Sequence, residues 1–438
     1  MKNYRWFVPI LLIAFTYLAI DSRITELKAK ENQYDTYLET AREYREGKIY
    51  SDAWEQYNLA LGMNHTLELC KEMAEFRKEQ NDERKIKEWG DYIVSNFPKE
   101  VYGYEYLIDH FYAQGKYKEC FSVYETVEKR KLFSESLSEK MNSLKYEYKV
   151  GNGRYRDVSE YVGDYCVYYG DSLYGYCSER GEPRRAEKYL WAGPFNEERA
   201  AIQDEYGEYY FIDIDGNRRI NVPKDIEVTK VGCLSENVFA VGTQGKMYYA
   251  NIKGELVLGP YEDATTFNYQ RAAIKENGKW YLIDSEGNKL TDGYLSFVTD
   301  EKQAIYRNDV IFAQTEEGYV CLDGQGKKIT DQVYEDARMF LDNTLAAVKL
   351  NGLWGYIDYT GTMQIEPQYE DAKSFRNDVA AVKQDGLWGY IDSDGVMIIP
   401  TMFLDAKSFN TSGYTFVMQD DESEKWSVLE LIRDTYIY

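Results

Sequence analysis

The chain has 438 residues, with 52 Lys and Arg against 75 Asp and Glu, a formal net charge of −23. Hydrophobic residues at 44% and aromatics at 16% exclude a largely disordered chain and leave room for two or three domains with sizeable cores. An acidic chain with no basic block argues against nucleic acid as a partner, because phosphate affinity comes mainly from Lys and Arg.

At the N-terminus, Trp6 to Ile20 is a run of fifteen positions without a charge, preceded by Lys2 and Arg5 and closed by Asp21. A membrane span usually takes ~17–25 apolar residues, and Tyr4 and Ser22 can extend this run at the interfaces. A cleaved signal peptide wants small residues before the cut, and Tyr17 to Ser22 offers no small-x-small pair. Residues 1–23 are therefore expected to be an uncleaved signal anchor, a transmembrane helix that makes the chain a single-pass cell-membrane protein. Lys2 and Arg5 on one side nearly balance Arg23, Lys28 and Lys30 on the other. The short positive head before the run favours an extracytoplasmic bulk, while the cysteines argue weakly the other way.

From residue 24 to 150 the pattern is helical, with apolar residues at three- and four-residue steps. Tyr104, Leu107, Ile108 and Phe111 form one stripe, Gly115-Lys116-Tyr117 turns, and Cys120, Tyr124 and Val127 form the next. Met73, the Asn81-Asp82 turn, Ile86 and Pro98 repeat this more loosely, as do Gly47, Ala53, Tyr57 and Ala60. Ser134 is placed to cap a last helix, Glu135 to Lys149, ending at Gly151 and Gly153. The segment resembles three degenerate tetratricopeptide repeats plus a closing helix, an α-solenoid with a concave groove. That resemblance makes Lys71, Glu75, Lys78, Tyr102, Glu105, Asp109 and Tyr112 groove-facing, ready for an extended or helical peptide. A solvated helix face is the plainer explanation of the same residues.

Residues 151–438 carry the strongest signal. Leu353-Trp354-Gly355-Tyr356-Ile357-Asp358-Tyr359-Thr360-Gly361 recurs as Leu387-Trp388-Gly389-Tyr390-Ile391-Asp392-Ser393-Asp394-Gly395. The frame's closing glycines are Gly181, Gly216, Gly254, Gly287, Gly326, Gly361 and Gly395, 33 to 39 residues apart. Apolar strands such as Ala346-Ala347-Val348-Lys349 precede each frame, and a tyrosine element such as Tyr369-Glu370-Asp371-Ala372 follows. An eighth hairpin ends at Trp426. Asn277-Gly278, Asn351-Gly352 and Asp385-Gly386 suit two-residue type I′ turns, which need positive φ at both positions. That register sets Lys349 opposite Trp354, Lys383 opposite Trp388 and Lys275 opposite Trp280, each lysine stem lying along an indole. It also pairs Val348 with Gly355, where glycine allows close backbone approach, and Cys166 with Cys177, either as a disulfide or as two small core residues.

These residues resemble the WG repeat family, named for its Trp-Gly pair. The resemblance implies a β-repeat module of surface and signalling proteins without an assigned reaction. In this chain Trp280 lacks the glycine, and Tyr174, Met247 and Tyr319 replace the tryptophan. Eight three-stranded units are expected to close into an eight-bladed β-propeller, the strand from Tyr155 to Tyr161 completing the last blade; an open β-solenoid is the alternative. The fold class is thus multidomain α plus all-β.

Asp213-x-Asp215-Gly216 and Asp392-x-Asp394-Gly395 invite a calcium reading, but they sit in the turn that every repeat has. The six cysteines form no CxxC and lie mostly far from His65 and His110, so no metal and no other cofactor is expected. Nucleophile-elbow, phosphate-loop and zinc-protease motifs are missing, and no histidine lies beyond His110. The expected function is a membrane-anchored, non-catalytic scaffold for a protein or peptide partner. The alternatives are a cell-surface glycan binder, with Trp280, Trp354 and Trp388 as stacking residues, and a carboxylate-based hydrolase.

Overall fold

The computed structural model describes residues 7–307, 309–342, 344–419 and 424–432. The chain divides into two compact units, Met1–Ser143 and Leu144–Tyr438.

The first unit is helical: α1 (Phe7–Glu46), α2 (Tyr50–Met63), α3 (Leu67–Glu79), α4 (Glu83–Asn96), α5 (Tyr102–Ala113), α6 (Tyr117–Lys129) and α7 (Glu135–Lys145). Short polar side chains start several of them by accepting a backbone N–H of the first turn. Thr66 accepts from Leu69, Asp82 from Lys85 and Ser134 from Leu137. Gly115 has φ +65° between α5 and α6, as a sharp reversal requires. Small residues let the helices approach, and Ala41, Ala53, Ala60, Cys70, Met73 and Ala74 share a core with Tyr57, Phe76 and Trp89.

The expected N-terminal anchor is corrected here. Lys2, Tyr4, Arg5 and Trp6 lie outside the described residues, but α1 does not end at Asp21. It continues through Arg23, Glu26, Lys28 and Lys30 as one helix of 40 residues. No helix among the described residues is long and apolar enough to cross a membrane. At ~1.5 Å per residue, a fifteen-residue run covers only ~22 Å of a ~30 Å hydrocarbon layer, and the next turns are charged. The transmembrane segment, the single-pass membrane location and the membrane as a partner fall with it.

The second unit is all-β, built of antiparallel meanders. One repeat shows the plan: Asp336–Ala337, Ala346–Leu350, Leu353–Ile357 and Met363–Tyr369 follow one another as neighbouring strands. The hairpin register is the one read from the turns, with Lys349 opposite Trp354 and Val348 opposite Gly355. Asn351 and Gly352 have φ of 52° and 80°, as a type I′ turn demands.

The Trp-Gly pair has a steric cause. Trp354 pairs with Tyr369 while Tyr356 pairs with Ile365, so the fourth strand bulges across the intervening glycine. A Cβ on Gly355 would sit 2.5 Å from the Ile365 carbonyl oxygen, and one on Gly389 2.6 Å from that of Ile399. Where Tyr281 and Val320 stand in place of the glycine, the fourth segment is reduced to isolated bridges such as Trp280–Tyr294 and Tyr319–Tyr334, whereas the sheets with Tyr210 and Tyr248 there keep a fourth strand. The glycine is thus needed only for the close approach seen at Gly355 and Gly389.

The closing Asp-x-x-Gly turn is equally local. The Asp358 carboxylate accepts the N–H groups of Thr360 (2.8 Å) and Thr362 (3.1 Å), and Asp392 those of Asp394 (3.1 Å) and Val396 (2.9 Å). Asp213 does the same for Asp215 and Asn217, both at 2.9 Å. These carboxylates are spent on the turn, which accounts for their recurrence without a cation.

Successive repeats share their cores. Trp354, Tyr356 and Tyr369 pack with Phe375, Val382 and Ile391 of the following repeat. In four of the frames a buried tyrosine reaches across the seam to a carbonyl of the next repeat's first strand or its flank. Tyr176 donates to Gly193 (2.8 Å), Tyr249 to Thr265 (2.7 Å), Tyr356 to Lys373 (3.1 Å) and Tyr390 to Lys407 (2.9 Å).

The closed eight-bladed propeller is also corrected. Among the described residues the strands fall into seven sheets, where eight separate blades were expected. The seventh and eighth repeats are one seven-stranded sheet, because the ten-residue strand Met397–Ala406 serves both. The last repeat is completed not by the Tyr155 element but by Tyr148–Val150, which pairs with Leu429–Leu431. The terminal repeats of the array touch: the rings of Tyr161 and Phe416 stack at 5.2 Å. Tyr155 makes a bridge to Trp426, and Asp157–Val158 pairs within its own repeat.

Gly389→Val places a branched side chain against the fourth strand and is expected to cost ~1–3 kcal/mol in urea unfolding. Wild-type stability in that variant contradicts the steric account.

Candidate functional site

On the helical unit, α3 and α5 bring part of the expected groove together. The Lys71 ammonium lies 5.2 Å from the Tyr102 ring centre and that of Lys78 lies 5.0 Å from Tyr106. Lys78 pairs with Glu75 at 3.0 Å, and the Tyr102 hydroxyl donates to Glu75 at 3.3 Å. Burial, then the Glu75 charge, pushes the Tyr102 phenol above its ordinary range. Glu105 and Asp109 instead engage α7 and the residue that caps it, Glu105 accepting the Ser134 hydroxyl (2.8 Å) and Asp109 pairing with Lys140. Tyr112 is exposed, its ring 5.9 Å from that of Tyr117. The surface is therefore a patch of Lys71, Glu75, Lys78 and Tyr102, laid over the buried ring of Tyr106.

On the β unit the tryptophans separate into two kinds. Trp354 and Trp388 are 3% and 6% exposed and belong to the shared cores of their repeats. Lys349 does sit opposite Trp354, but the cation over that indole is the Arg338 guanidinium, 4.8 Å from the ring centre. Trp280 is only half-buried and opens onto a cavity of about 910 Å³. Tyr169, Tyr174, Trp191, Tyr209 and Met247 line it as well. The rings of Trp191 and Tyr209 meet edge to face at 6.1 Å, and those of Tyr169 and Tyr174 lie 4.9 Å apart. Lys230 and Asp263, 3.4 Å apart, place a charge pair on the same wall. The signal was present in the sequence: Tyr174, Met247 and Trp280 belong to the frames that depart from Trp-Gly.

A second cavity, of about 750 Å³, shares Thr299, Glu301, Lys302 and Gln303 with the first. That segment is an insertion in the longest repeat, folded by its own contacts. Asp300 accepts the N–H groups of Lys302 and Ala304 at 2.9 Å, and the Thr266 hydroxyl donates to the Lys302 carbonyl at 2.6 Å. Beside it the Glu160 carboxylate pairs with Lys373 at 2.6 Å and accepts the Ser408 N–H at 2.8 Å. Burial works against its ionisation, but the Lys373 and Lys407 charges and these hydrogen bonds outweigh it and hold the carboxyl below its usual range.

The described residues hold no cluster of three or more His, Cys, Asp or Glu side chains that could bind a metal, and the six cysteines are free and buried. Cys166 does face Cys177 in register, yet the two are unbonded. Burial raises the Cys70 thiol to about 11 and the Cys120 thiol to about 12, away from the thiolate at neutral pH. What the described residues do present is surfaces and cavities.

A family model described as WG containing repeat matches residues 249–280, 321–354, 354–388 and 388–426, less than half of the chain. No curated protein matches the sequence. Among solved structures, Kluyveromyces lactis Hsv2 with loop 6CD replaced by a Gly-Ser linker is 9% identical, covers 64% of this chain and 96% of its own, and gives a TM-score of 0.37. A eukaryotic initiation factor is 8% identical over 66% and 88% at 0.41, and Saccharomyces cerevisiae Sqt1 is 11% identical over 64% and 97% at 0.38. Likeness at that level fixes neither fold nor function for this chain.

Glu160 titrates lower in the folded chain than in the unfolded one, so its contribution is present above the unfolded value of ~4.3 and is lost as pH falls through the folded value. Glu160→Gln is expected to cost ~3 kcal/mol at neutral pH by leaving Lys373 unpaired, and to flatten the loss of stability in acid. Superimposable stability–pH curves for the two proteins contradict this role.

Proposed function

We propose that the chain is a non-catalytic interaction protein whose β-repeat unit takes a peptide segment of a partner protein in the aromatic cavity. The supporting observation is the contrast between Trp354 and Trp388, consumed by packing, and Trp280, which faces open space beside Trp191 and Tyr209. Aromatic side chains that pack against a core on one side and border the cavity on the other, with one charge pair for orientation, suit recognition. The Lys71, Glu75, Lys78 and Tyr102 patch is a second surface, on a separate unit, for the same partner or another.

A glycan is the second reading, supported by the same flat rings, since indole and phenol faces also stack on sugars. Peptide and glycan arrays probed with residues 24–438 separate the two. Trp280→Ala is expected to weaken binding at least tenfold, about 1.4 kcal/mol, at a temperature where circular dichroism shows the variant still folded. Undiminished binding by both Trp280→Ala and Trp191→Ala overturns the assignment to this cavity.

A further inference from the structure

The second cavity collects cationic and polar groups that the fold leaves unsatisfied. Arg307 and Arg376 both line it. One nitrogen of Arg376 donates to the Tyr161 carbonyl at 2.7 Å, while the rest of its fork has no acceptor among the described residues. The Arg307 guanidinium has none there at all. Burial depresses the Arg376 guanidinium, Glu160 opposes this, and the neighbouring Arg307 charge adds to it. Asp300 and Asp342 also act on Arg376, and Asp300 feels the Arg307 charge, but neither they nor Glu160 accept a hydrogen bond from either guanidinium among the described residues, so both forks keep donors to offer.

Buried polar atoms without a partner are uncommon in folded proteins, and each wants a reason. Six side-chain atoms are in that state among the described residues, and one of them, Ser408 Oγ, is a hydroxyl with no other partner to serve on a residue that lines this cavity. Ser408 is 2% exposed, and its own N–H is already given to Glu160. Lys373 is neutralised by Glu160, so it is not among the unmet groups. At the rim the sign reverses, where Asp164, Glu197 and Glu198 are exposed carboxylates.

We propose that this cavity binds a small zwitterion, an amino acid or a compound like one. Its carboxylate is held by Arg307 and Arg376 with the Ser408 hydroxyl, and its ammonium group faces the rim carboxylates. A planar carboxylate matches the guanidinium forks bidentately. A phosphate brings a second negative charge close to Glu160, Asp300 and Glu301, which the cavity already holds.

The test uses calorimetric titration of the full chain with each of the twenty free amino acids, their N-acetylated forms and inorganic phosphate. At least one free amino acid is expected to bind saturably, and acetylation to weaken it at least tenfold. Arg307→Gln should weaken it by a similar factor in a chain that still folds, since the guanidinium has no hydrogen-bond partner among the described residues. Ser408→Ala supplies the same readout should the arginine variant fail to fold. Trp280→Ala, in the other cavity, should leave it unchanged. No binding by any of the twenty, phosphate bound more tightly than all of them, equal binding of the acetylated forms, or full affinity in the folded Arg307 variant each overturn the proposal.

Discussion

A ribbon of about thirty-five residues has two faces and too little chain to cover either. In this protein the cover is the next ribbon, and the contact that fixes it is a buried tyrosine. Tyr356 fills the space between repeats with its ring and donates its hydroxyl to the Lys373 carbonyl of the next one. The ring supplies apolar burial, and the hydroxyl satisfies a carbonyl that would otherwise lie unpaired at the seam. Tyr176, Tyr249 and Tyr390 repeat the contact elsewhere. The unusual count of 43 tyrosines has part of its explanation here, since phenylalanine fills the volume without the bond.

The hairpins were legible in the sequence because they depend on local rules. Asn351-Gly352 dictates a type I′ turn, the turn fixes the register, and the register sets Lys349 opposite Trp354 and Cys166 opposite Cys177. The acidic turns were legible for the same reason. What escaped depends on distance. Nothing in Tyr148–Val150 announces that it pairs with Leu429–Leu431, some 280 residues away, or that one strand of ten residues joins the last two repeats. The expectation of eight separate blades failed at those long-range pairings. The anchor failed on length, since the charge-free start of α1, Phe7 to Ile20, runs on into a charged helix and is too short for a span.

The binding surface was half legible. Trp280, Trp354 and Trp388 look alike as letters, yet the two that obey the repeat best are interior, and the one that departs from it faces a cavity. Good repeats conserve packing, so the place for a ligand is where the pattern is allowed to decay. The second cavity gave no sign in the sequence. Arg307, Arg376 and Ser408 come from three different repeats, and only the stacking of those repeats brings them to one space.

The dependence of each repeat on its neighbours is tested most directly by excising one. Residues 336–369 contain every strand of a repeat, including Trp354, Gly355 and Tyr356. Taken alone, this peptide should give no near-ultraviolet circular dichroism from its aromatic rings and no cooperative melting. A sharp thermal transition in the isolated repeat would contradict the account.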